Sequence, residues 1–322
     1  MNFPSLFFLC TFVYTLLYME KFEVTILGCG SALPTTRHFA SSQVINIREK
    51  LYMIDCGEGC QLQFRRSKLK FSRLNTIFIS HLHGDHCFGL LGLISTLGLL
   101  GRTAPLHVYA PKAFESQLKS QLEFFCKGLG FEVTFHPVDT QQCSVIYEDR
   151  SVTVTTLPLH HRIECCGFLF KEKPLLPHIR RDMIDFYNIP TYEINNIKNG
   201  KDWVTEDGTI VPNSRLTLPA EAPRSYAYCS DTIYIPDLSQ HLQGVNLLFH
   251  EATFSQKDLA RAKETFHTTA EQAATLAKNS LAQKLCIGHF SARYEDENVL
   301  LKEAQQVFNN TILAKENLTI KL

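Results

Sequence analysis

The chain has 322 residues, 45% of them apolar, enough to bury the core of one large α/β domain or two smaller ones. Thirty-two Lys and Arg balance thirty-two Asp and Glu, so no global basic field marks a nucleic-acid binder, and any grip on a polyanion must come from local clusters. Eleven cysteines, odd in number and scattered, argue against a disulfide framework and suit the reduced, buried thiols of a cytoplasmic protein.

Residues 3–18 form an apolar, aromatic run. No Lys or Arg precedes it, no small-x-small cleavage site follows, and its length is short for a membrane span. The favoured reading starts the protein at Met19 and takes 1–18 as an upstream segment, with a targeting segment as the alternative. The folded domain is then 19–322, and no stable membrane association is expected. Phe22–Leu27 reads as a strand, followed by Gly28-Cys29-Gly30-Ser31, either a tight turn at a sheet edge or a phosphate cradle. Ser41–Ile47 and Lys50–Ile54 read as a hairpin. Asp55 ends its second strand, where a carboxylate either hydrogen-bonds a metal-bound histidine or caps the helix expected from Cys60, or both. Arg65, Arg66, Lys68, Lys70 and Arg73 follow, as a solvated face or a phosphate-contacting patch.

The densest chemistry lies next. Thr76–Ile79 reads as a buried strand, and Ser80-His81-Leu82-His83-Gly84-Asp85-His86 follows it at once. Imidazoles and a carboxylate suit zinc and similar divalent ions. Four donors this close are too many for one tetrahedral ion that also keeps a water. Two ions use them better, His81 and His83 on one, Asp85 and His86 on the other. A helix is expected from Leu90, then strand, helix and strand at Leu106–Ala110, Pro111–Gly128 and Phe131–Pro137, an alternation that indicates a layered α/β fold.

Ser151–Leu159 reads as a strand ending in His160-His161, either of which serves as a third ligand. Across 171–223 the hydrophobic rhythm weakens, prolines accumulate, and Lys171, Lys173, Arg180, Arg181, Lys198 and Lys201 suggest a locally basic insertion that is functional or mobile. Ser225–Tyr228 leads to Asp231, whose two oxygens are able to bridge two metals. Val245–Phe249 leads to His250-Glu251-Ala252-Thr253. His267-Thr268-Thr269-Ala270-Glu271 opens a helix, with Thr268 and Glu271 expected as its capping box. Lys284–Gly288 is the last expected strand, ending at His289, and a closing helix is expected over about 295–314. Six strands thus end in Asp55, His81, His161, Asp231, His250 and His289, and strand ends at one edge of a sheet sandwich converge in space.

Asp55-Cys-Gly-Glu-Gly, Ser80-His-Leu-His-Gly-Asp-His, His161-Arg-Ile-Glu-Cys, Ser230-Asp-Thr, His250-Glu-Ala-Thr-Phe, His267-Thr-Thr and His289-Phe-Ser-Ala-Arg-Tyr occur in an order and spacing that resembles the ribonuclease Z family of the metallo-β-lactamase superfamily, from about Phe22 to the end of the chain. The resemblance implies a four-layer αβ/βα sandwich with an inserted protruding arm at 171–223. It implies two Zn2+ per subunit, with other divalent ions also accepted: His81, His83 and His161 on the first, Asp85, His86 and His289 on the second, and Asp231 between them. It further implies Asp85 as proton acceptor for the attacking water, and His250 with Glu251 as the source of the leaving group's proton. Arg37, His267, Thr268 and Arg293 are the implied substrate contacts. The implied activity is removal of 3′ trailers from precursor tRNA by a cytoplasmic homodimer. Two departures stand out. Thr36, His38 and Phe39 occupy positions where the family usually has Lys, Arg and Asn, and Ile189-Pro190-Thr191-Tyr192 stands where its arm usually has Gly-Pro. The competing readings are a small-molecule phosphodiesterase of the same fold and a zinc-dependent binding module.

Overall fold

The structure is a computed structural model that describes residues 20–322, so the apolar run at 3–18 and Met19 lie outside the described residues. In chain order the strands are β1 Phe22–Gly28, β2 Ser42–Ile47, β3 Lys50–Ile54, β4 Leu74–Phe78, β5 Leu106–Pro111, β6 Val133–Val138, β7 Val145–Glu148, β8 Val152–Pro158 and β9 Cys166–Glu172. Four short ones follow, β10 His178–Ile179, β11 Trp203–Val204, β12 Ile210–Val211 and β13 Thr217–Leu218. The last are β14 Ser225–Cys229, β15 Leu247–Glu251, β16 Lys284–Gly288, β17 Thr311–Leu313 and β18 Thr319–Lys321.

Two seven-stranded mixed sheets carry the larger unit, with orders β18-β1-β2-β3-β4-β5-β6 and β17-β16-β15-β14-β9-β8-β7. The alternation of side chains along each strand explains the layers. In the first sheet Val24, Ile26, Ile45, Ile47, Tyr52 and Ile54 face inward and pack with Val154, Phe168, Phe170, Tyr226 and Tyr228 of the second. Their neighbours Val44, Leu51, Met53, Ile77 and Val108 point the other way and are covered by Phe64, Leu90, Leu93, Leu97 and Leu118 from three helices. Ala270, Ala273, Leu276 and Ala277 recur at helical spacing and seat the helix Ala270–Asn279 in the core of the second sheet. This is the four-layer α/β sandwich that the sequence implied.

The edges differ from expectation in particular places. The closing helix spans only Asn298–Val307, and the chain then returns as β17, which extends the second sheet, and β18, which pairs antiparallel with β1. The capping box forms one residue later than expected: Thr269 Oγ1 accepts from Gln272 N, and the Gln272 side chain reaches back to Thr269 N. Thr268 is unavailable for capping because its hydroxyl donates to Thr232 O at 2.6 Å. Asp55 caps nothing. The helix Cys60–Arg66 begins at Gly59 (φ 81°) without a side-chain cap.

Residues Glu172–Arg224 form a second compact unit. Its two antiparallel ladders, β10 with β13 and β11 with β12, accompany a small core of Ile189, Ile197, Val211 and Leu216. The two ends of the unit are clamped by a buried pair: Arg224 Nε and Nη2 donate to the two Glu172 carboxylate oxygens at 2.8 and 2.9 Å. The basic character expected here is corrected by the full charge count. Seven Lys and Arg face eight Asp and Glu between 172 and 224, and Arg180 and Lys201 are ion-paired to Asp182 and Glu193. Removing one partner of a buried ion pair costs about 3–5 kcal/mol. Glu172→Ala is therefore expected to raise amide hydrogen exchange across 178–218 by about tenfold or more. Unchanged exchange there would show that the clamp does not hold the unit.

Candidate metal centre

The ends of β4, β8, β14 and β16 supply the donors. After β4 the chain turns through His81 and His83 into the one-turn helix Gly84–Cys87. Two glycines let the loop after β3 press against this turn. A side chain at Gly57 would meet Asp85 O at 2.4 Å, and one at Gly89 would meet Gly57 O at 2.1 Å. Cys56 N donates to His86 O at 2.7 Å and Gly89 N to Cys56 O at 2.8 Å, which sets the height of Asp85 and His86. Asp55, Asp231 and His289 all adopt left-handed backbone (φ 56°, 51° and 59°), a conformation that costs free energy in non-glycine residues and gathers at functional sites.

Two donor sets result. His81, His83, His161 and Asp231 form one, and Asp85, His86, His289 and Asp231 the other. Asp231 faces both. Its Oδ2 lies 3.6 Å from His81 Nε2 and 3.7 Å from His161 Nε2, while Oδ1 lies 3.2 Å from His86 Nε2 and 3.1 Å from His289 Nε2. Four of the five imidazoles are aimed by their other nitrogen. His86 Nδ1 meets Asp55 at 2.7 Å, His81 Nδ1 meets Ser80 Oγ at 3.0 Å, His161 Nδ1 meets Phe266 O at 3.0 Å and His289 Nδ1 meets Thr253 Oγ1 at 2.9 Å. Asp55 also accepts from Ser80 N, Ser80 Oγ and Tyr228 OH, so it is pinned before it pins His86. That is the outer support that metal-bound histidines ordinarily have. Of the two residues left open after β8, the structure puts His161 in the donor set. His160 stacks on Phe266 instead.

The donors fit a cation. Asp85 Oδ2, His86 Nε2 and His289 Nε2 are buried, converge on one point and have no hydrogen-bond partner. Orphaned buried polar atoms are costly unless something joins them. Burial holds the pKa values of His81, His83 and His161 down, leaving neutral rings fit to ligate. Burial works the same way on His86, but Asp231, Asp85 and Asp55 override it and lift its pKa well above the usual range. Burial also opposes the charges of Asp85 and Asp231, yet the neighbouring histidines hold both carboxyls well below theirs. A divalent ion bound here would displace any proton on these donors, so binding would release protons.

A cavity of about 730 Å3 opens over the donors, lined among others by His83, Asp85, His161, Asp231, His267 and His289. Three arginines, Arg162, Arg261 and Arg293, share its wall, as do Ser31, Ala32 and Pro34 from the loop after β1. Arg162 and Arg261 were not among the residues singled out from sequence. Arg261 sits in an ordinary charged helix, where only its place in space distinguishes it. His267 faces the cavity and meets Glu251 Oε1 at 2.9 Å. Glu251 is wholly buried and also accepts from Thr232 N, Thr253 Oγ1 and Thr268 N. Burial works against a charged His267 ring, but the Glu251 carboxylate prevails and lifts its pKa to about 9.

Three expected site residues stand elsewhere. His250 is buried away from the cavity lining, with Nδ1 2.7 Å from Glu251 O. Thr268 is fully buried and ties the Thr232 and Glu251 segments together. Arg37 donates to the carbonyls of Ala292 and Tyr294 and does not line the cavity. Arg293 does line it, held by Asp258 at 3.2 Å and lying over the Phe254 ring.

With this geometry in hand, similarity to known proteins decides the family. Ribonuclease Z of Bacteroides fragilis is 67% identical over 304 residues, spanning 94% of this chain and all of that one. This chain belongs to the ribonuclease Z family. Among solved structures, the short form of human tRNase Z matches with a TM-score of 0.66 and 26% identity, over 92% of this chain and 98% of that one. The metallo-β-lactamase fold protein YhfI of Bacillus subtilis matches with a TM-score of 0.67 at 17% identity, over 94% and 100% of the two chains, and so shares the fold. A family model described as anti-Pycsar protein Apyc1 matches residues 22–177. Among the described residues no helix is long and apolar enough to cross a membrane.

Proposed function

We propose that this chain is a hydrolase that removes the 3′ trailer from precursor tRNA by endonucleolytic cleavage, leaving a 3′-hydroxyl, with two divalent metal ions, zinc by preference, in each subunit. The observation that carries the reading is the pair of donor sets sharing Asp231 beneath an arginine-walled cavity, in a chain of the ribonuclease Z family. His81, His83, His161 and Asp231 would hold one ion, and Asp85, His86, His289 and Asp231 the other. When bound, the ions supply Lewis-acid stabilisation of the scissile phosphate and acidify the attacking water.

The protein's own residues do the rest. Asp85 lines the cavity and accepts the water's proton. Arg162, Arg261 and Arg293 neutralise and orient the phosphates, a contribution that weakens as salt rises. The proton for the departing 3′-oxygen comes from His267, which faces the cavity and is backed by Glu251. The expectation that His250 plays this part gives way to this assignment, because its ring is buried off the cavity. The unit 172–224 serves as the tRNA arm, and with no net positive charge it grips by other means. Its exposed Phe186 and Tyr192 offer flat rings on which unpaired bases stack. Ten free cysteines among the described residues, nine of them buried, fit a reducing compartment and so a cytoplasmic enzyme. A homodimer, in which one subunit's arm holds tRNA for the other's centre, completes the reading.

The deciding experiment is cleavage of an end-labelled precursor tRNA with a 3′ trailer, with and without chelator. The expected result is one cut after the discriminator base, abolished by chelator and by Asp85→Ala. No cut on tRNA, with metal-dependent hydrolysis of a simple phosphodiester, would move the assignment to a small-molecule phosphodiesterase.

A further inference from the structure

A second cluster of metal-ligating side chains lies outside the cavity. Cys29 just after β1, His38 in the loop that follows, and Glu316 in the turn before β18 bring one donor atom each to a common point. Cys29 Sγ is 3.3 Å from His38 Nδ1 and 3.6 Å from Glu316 Oε1, and His38 Nδ1 is 3.3 and 3.2 Å from the two Glu316 oxygens. The thiol is buried, and the His38 and Glu316 side chains are each 13% exposed.

The His38–Glu316 contact is wider than a charged hydrogen bond between such groups usually is, while the Cys29 thiol also reaches Ala314 O at 3.5 Å. A charged histidine–carboxylate pair closes to about 2.7–2.9 Å when nothing keeps it apart. His86 with Asp55 at 2.7 Å and His267 with Glu251 at 2.9 Å are such pairs, whereas in the main donor sets His86 and His289 stand 3.1–3.5 Å from Asp85 and Asp231. Here the three donors surround a centre at a uniformly wider spacing. With metal–sulfur near 2.3 Å and metal–nitrogen or oxygen near 2.0 Å, the donor atoms of a tetrahedral zinc stand about 3.3–3.5 Å from one another. With Glu316 Oε1 as the third donor atom the observed edges, 3.3, 3.3 and 3.6 Å, match those values. The ring's far nitrogen, His38 Nε2, meets Glu297 at 3.2 Å. That repeats the support Asp55 gives His86, and it fixes Nδ1 as the ligating nitrogen. Phe39 N donates to Glu316 Oε1 at 2.9 Å, which orients the carboxylate.

We propose that Cys29, His38 and Glu316 form a third metal site, for zinc or another thiolate-tolerant divalent ion, separate from the two-metal centre. Binding exchanges the Cys29 thiol proton, and any proton on His38 Nδ1, for bonds to the ion; the protons leave to solvent. Thiolate and carboxylate then neutralise the ion's two charges, and water fills the fourth position. The ion cross-links the end of β1, the 31–40 loop and the turn before β18. Because Ser31, Ala32, Pro34 and Ala40 line the cavity, its role is to hold that wall of the cavity in place.

Cobalt(II) tests this without relying on activity, because the two-metal centre has only nitrogen and oxygen donors. Metal-free full-length protein, kept reduced, is titrated with Co2+ in the wild type, Asp231→Ala, Cys29→Ser, His38→Ala and Glu316→Gln. The expected result is a near-ultraviolet sulfur-to-cobalt charge-transfer band that saturates at one ion per chain. It persists in Asp231→Ala and is lost in Cys29→Ser. In His38→Ala and Glu316→Gln it forms at least tenfold more weakly, and Zn2+ displaces it in the wild type. Absence of the band in the wild type overturns the site whatever the variants do, and survival of the band in Cys29→Ser assigns it to another thiol and does the same.

Discussion

Asp231→Ala is expected to abolish precursor-tRNA cleavage and to strip the main centre of its metal. Asp231 is the one residue common to both donor sets, with Oδ1 and Oδ2 each 3.1–3.7 Å from two histidine nitrogens. Its removal takes a negative ligand from both sides at once and leaves His81, His86 and His289 facing one another in a buried space. The loss should exceed the roughly 10–100-fold that removal of an outer partner of a ligand costs. Asp55→Asn provides that comparison, since Asp55 meets His86 Nδ1 directly, reaches His81 only through Ser80 Oγ, and belongs to neither donor set. Asp231→Asn is intermediate in kind: one amide oxygen serves one side, so metal content should fall to a single ion with little turnover. Elemental analysis of the purified variants beside their cleavage rates reads all three. Full activity and unchanged metal in Asp231→Ala would sink the shared-carboxylate arrangement.

The sandwich and its metal centre were legible because both rest on period-two alternation and on what stands at strand ends. An inward-facing Ile45 or Tyr52 alternates with an outward-facing Val44 or Leu51, and a ligand placed just beyond a buried strand has one edge to occupy. The same periodicity, applied one step further, separates His250 from Glu251. Consecutive strand residues point to opposite faces, so when the Glu251 carboxylate reaches His267 the His250 ring cannot share that side. Where long-range pairing decides, the local pattern was silent. β18 is three residues long and exists because Val24 and its neighbours are there to pair with it. A helix pattern ran on to 314 for want of a stop signal stronger than Asn309-Asn310. The arm misled for a different reason: counting its cations without its acids made a basic surface of a segment whose charges cancel. The cavity arginines come from separate segments, and no spacing in sequence joins Arg162 to Arg261 and Arg293.

His267→Ala is expected to lower kcat about 10²–10⁴-fold, the range a positioned general acid contributes, with little change in KM. The 3′-oxygen is a poor leaving group unless protonated as its bond to phosphorus breaks. His267 stands on the cavity wall with Glu251 behind it, and Glu251 in turn is fixed by Thr232 N and Thr268 N. An acid must carry its proton to act, and Glu251 raises the His267 pKa to about 9, so the ring is charged at neutral pH. Activity is then retained below that value and falls as pH rises through it. Glu251→Gln removes the charge that raises the pKa, so the falling limb should move toward the ordinary histidine value of about 6.5. A substrate with sulfur in place of the scissile 3′-oxygen separates this role from a structural one, because a thiolate departs without a proton. On that substrate His267→Ala should approach the wild-type rate, whereas a variant whose site is merely distorted stays slow on both. If His250→Ala instead shows the sulfur rescue and His267→Ala does not, the proton passes through His250, and the geometry of the cavity wall has been read the wrong way round.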